Sequence, residues 1–387
     1  MPLRSKLPDT GTTIFTVMSA LAQKHGAINL SQGFPNFDPD PRLKALVAQA
    51  IEAGHNQYAP MQGLPELREV LVQKILTLYS CQVSAEHEIT ITAGGTQAIF
   101  TAVGAIIHPG DEAIVFDPAY DCYAPSVRAF GGQPKSIALK APDFKIDWTA
   151  VEDAITSKTK LIFINTPHNP LGRALTEQDI RMLETIVAGR EMYIISDEVY
   201  EHIIFDGLKH QSMLRSEILS KKSFIVYSFG KLVHATGWKL GYCVAPADLM
   251  SEFRKIHQFN VFAVNRPMQH ALAEYLTDPV TYSDLHTFFQ KKRDFFIEQM
   301  KDTGFQFLPC EGSYFILADY GELSDLDDMQ FAERLTIDGG VATIPLSPFY
   351  SNPIKDQQVV RFCFAKTDET LSKAAELLKR VLYSHRE

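Results

Sequence analysis

The 387-residue sequence is poor in the features that mark several function classes. It has five cysteines, at positions 81, 122, 243, 310 and 363, with no CxxC pair and no Cys/His ligand spacing. An odd, scattered set argues against a disulfide scaffold or zinc site and suits a reducing cytosol. "His87-Glu88" lacks the second histidine of an HExxH metal motif. No apolar run approaches the roughly 20 residues that span a bilayer, and "MPLRSKLPDTGTT" has no apolar leader core. Positive charge is in deficit, with 37 Lys+Arg against 46 Asp+Glu and a formal charge of −9. That argues against nucleic acid or an anionic membrane as partner. The expectation is a soluble, cytoplasmic protein without a metal.

What is present is an ordinary globular composition, 45% hydrophobic and 21% charged, in a chain long enough for two domains. No repeat or low-complexity linker interrupts it. Short apolar runs alternate with amphipathic stretches. "EITITAGG", "DEAIVFDP", "KLIFINTP", "EMYIISDEVY" and "SFIVYSFGK" read as strands. "TQAIFTAVGAII" and "TEQDIRMLETIVAG" read as helices, the second opened by a Thr176/Asp179 capping box, with Gly189 near its end. The strand runs are apolar on both faces, as in a sheet covered by helices on both sides. The fold class is therefore α/β, with a mostly parallel sheet. After about residue 280 the character changes. "DLHTFFQKKRDFFIEQMKDTG", "DDMQFAERLT" and "LSKAAELLKRVLY" read as helices around the strands "FQFLPCEGSYFILADY" and "VVRFCFAK". This predicts a large domain over 41–284 and a smaller α+β domain from 285–387, with residues 1–40 packed against it.

Ligands of open α/β sheets bind beyond the carboxyl ends of the strands. Those ends carry Gly94, Gly95 and Thr96; Tyr120; Asn169; Asp197 and Tyr200; and Ser228 and Lys231. Each has an ordinary reading. An Asp at a strand end caps a helix, a lysine sits on the surface, a Gly pair makes a turn, Asn169-Pro170 is a turn with or without a cis bond, and Tyr120 fills a core. Their shared placement in one sheet is what an ordinary reading leaves unexplained.

One ligand chemistry uses all of them. An anion takes free N–H groups at a helix N-terminus and nearby hydroxyls, as Gly94, Gly95 and Thr96 offer. A protonated ring nitrogen takes a buried carboxylate, Asp197. A phenolate oxygen takes donors from Asn169 and Tyr200, a flat ring stacks on Tyr120, and an aldehyde takes the amine of Lys231. Pyridoxal 5′-phosphate (PLP) has these parts. Lys231 then needs an amine that is readily unprotonated, which burial near a second cation favours. Lys239, with Ser228, would face the phosphate. Gly230 and Gly237 would let the backbone approach.

"SFGKLVHATGWKLGY", "NTPHNPLG", "SDEVYEH", "TAGGTQA" and "NLSQGFPNF" resemble, in order along nearly the whole chain, the class I, fold-type I PLP-dependent aminotransferases. They are most similar to the branch holding bacterial methionine aminotransferase and the kynurenine/glutamine transaminases. The resemblance implies a seven-stranded-type large-domain sheet and a ping-pong exchange of an amino group between an amino acid and a 2-oxo acid. It implies that Lys231 is the Schiff-base lysine and general base, that Asp197 pairs with the ring nitrogen, and that Asn169 and Tyr200 contact the ring oxygen. Gly95, Thr96, Ser228 and Lys239 would bind phosphate, and Tyr120 would stack on the ring. Tyr58 resembles the tyrosine that reaches the neighbouring subunit's cofactor, which implies a homodimer with shared sites. Arg361 resembles the substrate-carboxylate arginine and Gly33 a glycine lining that site, although "VVRFCFAK" alone also permits an exposed Arg361. Many members have arginine where Lys239 stands; lysine fits the methionine/kynurenine branch. Phe15, Phe34, Tyr58 and His168 suggest an apolar, roomy substrate pocket, for methionine, aromatic amino acids and glutamine. A cysteine-S-conjugate β-lyase of the same fold is the alternative. A PLP-binding regulator would need a DNA-binding module, for which no basic helix-turn-helix is present.

Overall fold

The structure, a computed structural model, describes residues 3–354 and 357–383; the outermost limits of the expected domains, residues 1 and 387, lie outside these. A short strand β1 (Ile28–Asn29) precedes the main sheet. That sheet holds β2 (Ile89–Thr92), β3 (Glu112–Asp117), β4 (Gln133–Ala138), β5 (Thr159–Asn165), β6 (Tyr193–Asp197), β7 (Ser223–Ser228) and β8 (Gly241–Val244). Their order is β2-β8-β7-β6-β5-β3-β4. Only β8 runs antiparallel to its neighbours, so β2 through β7 all point their carboxyl ends to one side.

The two-faced apolar pattern has the meaning expected of it. Successive residues of the central strands enter two separate cores. Ile114, Ile162, Ile164, Ile225 and Tyr227 face one, and Ala113, Val115, Leu161, Phe163 and Val226 face the other. The helix Gly95–Ile106 lies in the second core, burying Ala98, Ile99, Ala102, Val103 and Ile106 on one stripe. Both halves of the Thr176/Asp179 capping box form at the head of the helix Glu177–Val187. Two strands of this sheet escaped the sequence reading, as did the two-residue strands outside it at 28–29, 341–342 and 344–345. β4, "QPKSIA", is a sheet edge with a half-exposed pattern, where Pro134 costs no ladder bond. β8 lies inside the lysine-bearing stretch and is flanked by residues read there as loop.

The C-terminal part builds a four-stranded antiparallel sheet. It contains β9 (Gln306–Phe307), β10 (Phe315–Asp319), β12 (Ile344–Pro345) and β13 (Val359–Cys363), in the order β12-β13-β10-β9. Between them β11 (Val341–Ala342) pairs with β1. The helices Leu285–Met300, Asp328–Ile337 and Asp368–Tyr383 cover this unit. The chain thus crosses from the first residues to the last third through β1, and residues 30–34 are carried to the mouth of the main sheet.

Candidate active site

A cavity of about 250 Å³ opens beyond the carboxyl ends of β3, β5, β6 and β7. β4 and β5 lie on opposite sides of β3, so the connections diverge there and leave a crevice. Gly95, Thr96, Tyr120, Asn169, Asp197, Tyr200, Ser228, Lys231 and Lys239 all line it, together with Gly33, Phe15 and Phe34 from the N-terminal segment.

The floor is the turn after β2. Gly94 has φ +80°, in the left-handed region that glycine tolerates. No side chain caps the helix that follows, so its first N–H groups face the cavity without an intrahelical partner. Gly241 of β8 packs so closely that an added Cβ would lie 2.5 Å from the Tyr227 carbonyl and 3.2 Å from Gly94 Cα. Lys239, itself at φ +54°, runs its side chain past Gly94. The Thr96 and Tyr120 hydroxyls lie 3.3 Å apart. Gly230 is also tight, its would-be Cβ 2.9 Å from Thr236 Cα, whereas Gly237 faces open space and owes nothing to close approach.

Asp197 ends β6 and is 4% exposed. Burial raises its carboxyl to a pKa of about 6, opposed by the hydrogen bond that Tyr123 Oη donates to Oδ2 at 2.6 Å. Lys231 sits on the one-turn helix Phe229–Leu232 after β7. Burial pulls its amine down to about 8. Its Nζ donates to Tyr314 Oη at 2.7 Å and to the Gly33 carbonyl at 3.2 Å. Tyr314 Oη in turn donates to Gly33 O at 2.7 Å. The Tyr200 ring stands edge-on to Tyr314, with Lys231 Nζ 5.5 Å from its centroid.

Arg361 is fully buried in the middle of β13, between β10 and β12, not on an exposed strand face. Its Nη1 donates to Asn169 Oδ1 and its Nη2 to Ser31 O, both at 2.7 Å. Nε has no partner. The guanidinium lies 3.8 Å from the Phe315 ring centroid and 5.3 Å from that of Phe15. Burial lowers its pKa to about 10, still cationic at neutral pH. Asn169 is fixed by its own N–H, which donates to Asn165 Oδ1 at 2.7 Å. The Asn169–Pro170 bond is cis.

Two residues fall elsewhere. His168 does not line this cavity: backbone hydrogen bonds between His168 and the Gly172–Arg173 turn hold it on the far side of the loop. Its inclusion in the substrate pocket is corrected accordingly. Tyr58 is 79% exposed and packs edge-on against Phe262, away from this chain's own cavity. Two residues were missed. Tyr123, one turn beyond Tyr120, was legible as a second tyrosine on that side. Tyr314 had no local signal, because its partners are some 80 and 280 residues away.

The aminotransferase class I and II family profile matches residues 25–378. A methionine aminotransferase of Escherichia coli is 47% identical over 379 residues, covering 98% of each chain. A kynurenine–oxoglutarate transaminase of Dictyostelium discoideum is 32% identical, covering 96% of this chain and 94% of its own. A solved E. coli structure, with an identified methionine aminotransferase function, matches with a TM-score of 0.96 at 47% identity, over 98% of this chain and 100% of that one. Proteins of this family and fold depend in general on PLP and act on amino acids and 2-oxo acids, generally as dimers. The profile match and the end-to-end relatives agree with the crevice and its converging side chains: the chain belongs to the class I and II aminotransferases.

Proposed function

We propose that this chain binds PLP in the crevice and transfers the amino group of methionine or an aromatic amino acid to a 2-oxo acid. The observation that carries this reading is a matched set of groups around one cavity. The uncapped N-terminus of the helix Gly95–Ile106, with Thr96, Ser228 and Lys239 beside it, suits a phosphate. The buried Asp197 carboxyl suits a ring N–H, and the Lys231 amine suits an aldehyde. Asn169 and Tyr200 would face the ring oxygen, and Tyr120 the ring.

When bound, PLP supplies an aldehyde and an electron-accepting ring. The protein's part is positioning and proton transfer. Arg361 grips the substrate carboxylate with its planar fork, and Gly33 leaves room beside it. Lys231 takes the proton from the substrate Cα; an amine pulled down to about 8 is a competent base near neutral pH. Asp197, kept from solvent, holds a positive charge at the ring nitrogen. Phe15, Phe34, Ile99 and Phe315 give the cavity apolar walls; Arg361 stands just behind them, against Phe15, Phe315 and Asn169, and no other arginine borders the cavity among the described residues. The name of the E. coli relative supports methionine among the donors.

The exposed Tyr58, with the half-exposed Phe262 packed edge-on against it and Phe259 85% exposed three residues before Phe262, supports a homodimer in which Tyr58 reaches the partner's cofactor. We assign residues 41–284 to the large domain, and 1–40 with 285–387 to the small one, since β1 pairs with β11. Among the described residues no helix is long and apolar enough to cross a membrane, and the five cysteines are unpaired; a cytoplasmic location accords with both. Turnover of methionine, phenylalanine, kynurenine and aspartate with a common 2-oxo acid tests the reading. Methionine or an aromatic donor should lead, and aspartate as best donor overturns it. Pyruvate and ammonia released from a cysteine conjugate without any 2-oxo acid would favour the lyase alternative.

A further inference from the structure

Behind the Asn165–Asn169 loop lies a second cavity of about 300 Å³. Its walls include Phe116, Leu139, Phe144, Trp148, Ile164 and Leu171. An apolar cavity of about 150 Å³ already holds benzene, so a substituted aromatic ring fits here. The polar groups around it are almost all spoken for. Trp148 Nε1 donates to Asp179 Oδ1 at 2.9 Å. At the rim, Lys145 pairs with Asp143 at 2.9 Å and Arg173 with Glu311 at 3.2 Å. Asn165 spends both amide atoms, accepting from Asn169 N and donating to Asp197 O at 2.9 Å.

Gln178 is exposed to solvent; His168 is the buried exception among the described residues. It is 8% exposed, lines the cavity, and its Nδ1 is buried without a hydrogen-bond partner among the described residues. Burial lowers its pKa to about 3, so the ring is neutral, with one donor and one acceptor. A buried polar group left unmatched costs free energy until something supplies its partner. With the rim cations already paired, an ionic ligand finds no free counter-charge.

We propose that this cavity is a second ligand site, for a small neutral aromatic molecule bearing one O–H or N–H that pairs with His168. Asn165 borders both cavities and is hydrogen-bonded to the backbone of Asn169 and Asp197. The occupant therefore sits one side chain away from two residues of the main crevice. The inference does not depend on the cofactor or substrate reading.

The test is calorimetric titration of the purified full-length protein with phenol and, as a ring of similar shape without the hydroxyl, toluene. Phenol should bind about five- to tenfold more tightly than toluene, the worth of one neutral hydrogen bond. His168→Leu should erase that preference. Ala174→Phe, which fills this cavity from a position that does not line the main crevice, should abolish binding of both. In a Trp238→Phe protein, Trp148 is the sole tryptophan, and phenol should change its emission. Failure of phenol to bind, retained binding in a folded Ala174→Phe protein, or binding with no change in Trp148 emission each overturns the proposal.

Discussion

Lys231 Nζ donates a hydrogen bond to Tyr314 Oη at 2.7 Å, and that hydroxyl donates onward to the Gly33 carbonyl. The amine at the centre of the crevice is thus held by the residue just before β10 and by one from the N-terminal segment. Lys231 is also the group whose base strength the chemistry depends on.

Tyr314→Phe removes an acceptor that favours the protonated amine, so the pKa of Lys231 should fall further below about 8. A hydrogen bond to a charged group is worth about 1.5–3 kcal/mol, which sets a shift of about one pH unit or more. The pH dependence of Lys231 acylation in cofactor-free protein, read by mass spectrometry, measures it. An unchanged midpoint would show that the contact does not tune the lysine.

Asp197 makes stability depend on pH. Its folded pKa, about 6, lies above the ordinary 3.8. A raised pKa means the folded state binds the proton more tightly, so the contribution is fully present below pH 3.8 and is lost as pH rises through 6. The gap corresponds to about 3 kcal/mol at about 1.36 kcal/mol per pH unit. Cofactor-free Asp197→Asn should therefore be more stable than the native sequence at pH 7–8, by up to about 3 kcal/mol, with the advantage shrinking towards pH 4. Denaturant titrations across that range check it; a difference independent of pH would falsify the assignment.

Arg361→Lys keeps the charge and loses the fork. With a buried guanidinium bonded to Asn169 and Ser31 and an Nε without a partner among the described residues, the loss should raise KM for the amino acid about 10- to 100-fold. Steady-state kinetics with methionine decide it. An unaltered KM would mean the carboxylate is gripped elsewhere.

Gly241→Ala and Gly237→Ala make a matched pair. The first drives a Cβ to 2.5 Å from a backbone oxygen and should cost about 3 kcal/mol or more. The second meets nothing within 4 Å and should change stability by less than about 0.5 kcal/mol. Thermal unfolding of both variants makes the comparison.

Much of this was legible in the chain. Runs such as "KLIFINTP" and "SFIVYSFGK" are apolar at consecutive positions, which a sheet covered on both faces requires, and the polar residues that end them could converge only at one edge. That reasoning reached Asp197, Asn169, Ser228 and Lys231, because strand ends are local features. β4 and β8 were not legible: one is a polar edge, the other a four-residue strand whose pairing with β2 and β7 comes from distant segments.

The sequence by itself determined the layered α/β architecture and which functional groups the strand ends present, since both follow from local periodicity and composition. Only the tertiary structure decided how those groups are tuned and where the remaining ones face. Tyr314 meets Lys231 from the bend before β10, Arg361 is buried instead of exposed, Tyr123 clasps Asp197, and His168 turns into a cavity behind the loop. The physical reason is that burial, desolvation and a hydrogen bond between residues hundreds of positions apart depend on packing, and no local stretch of the chain encodes them.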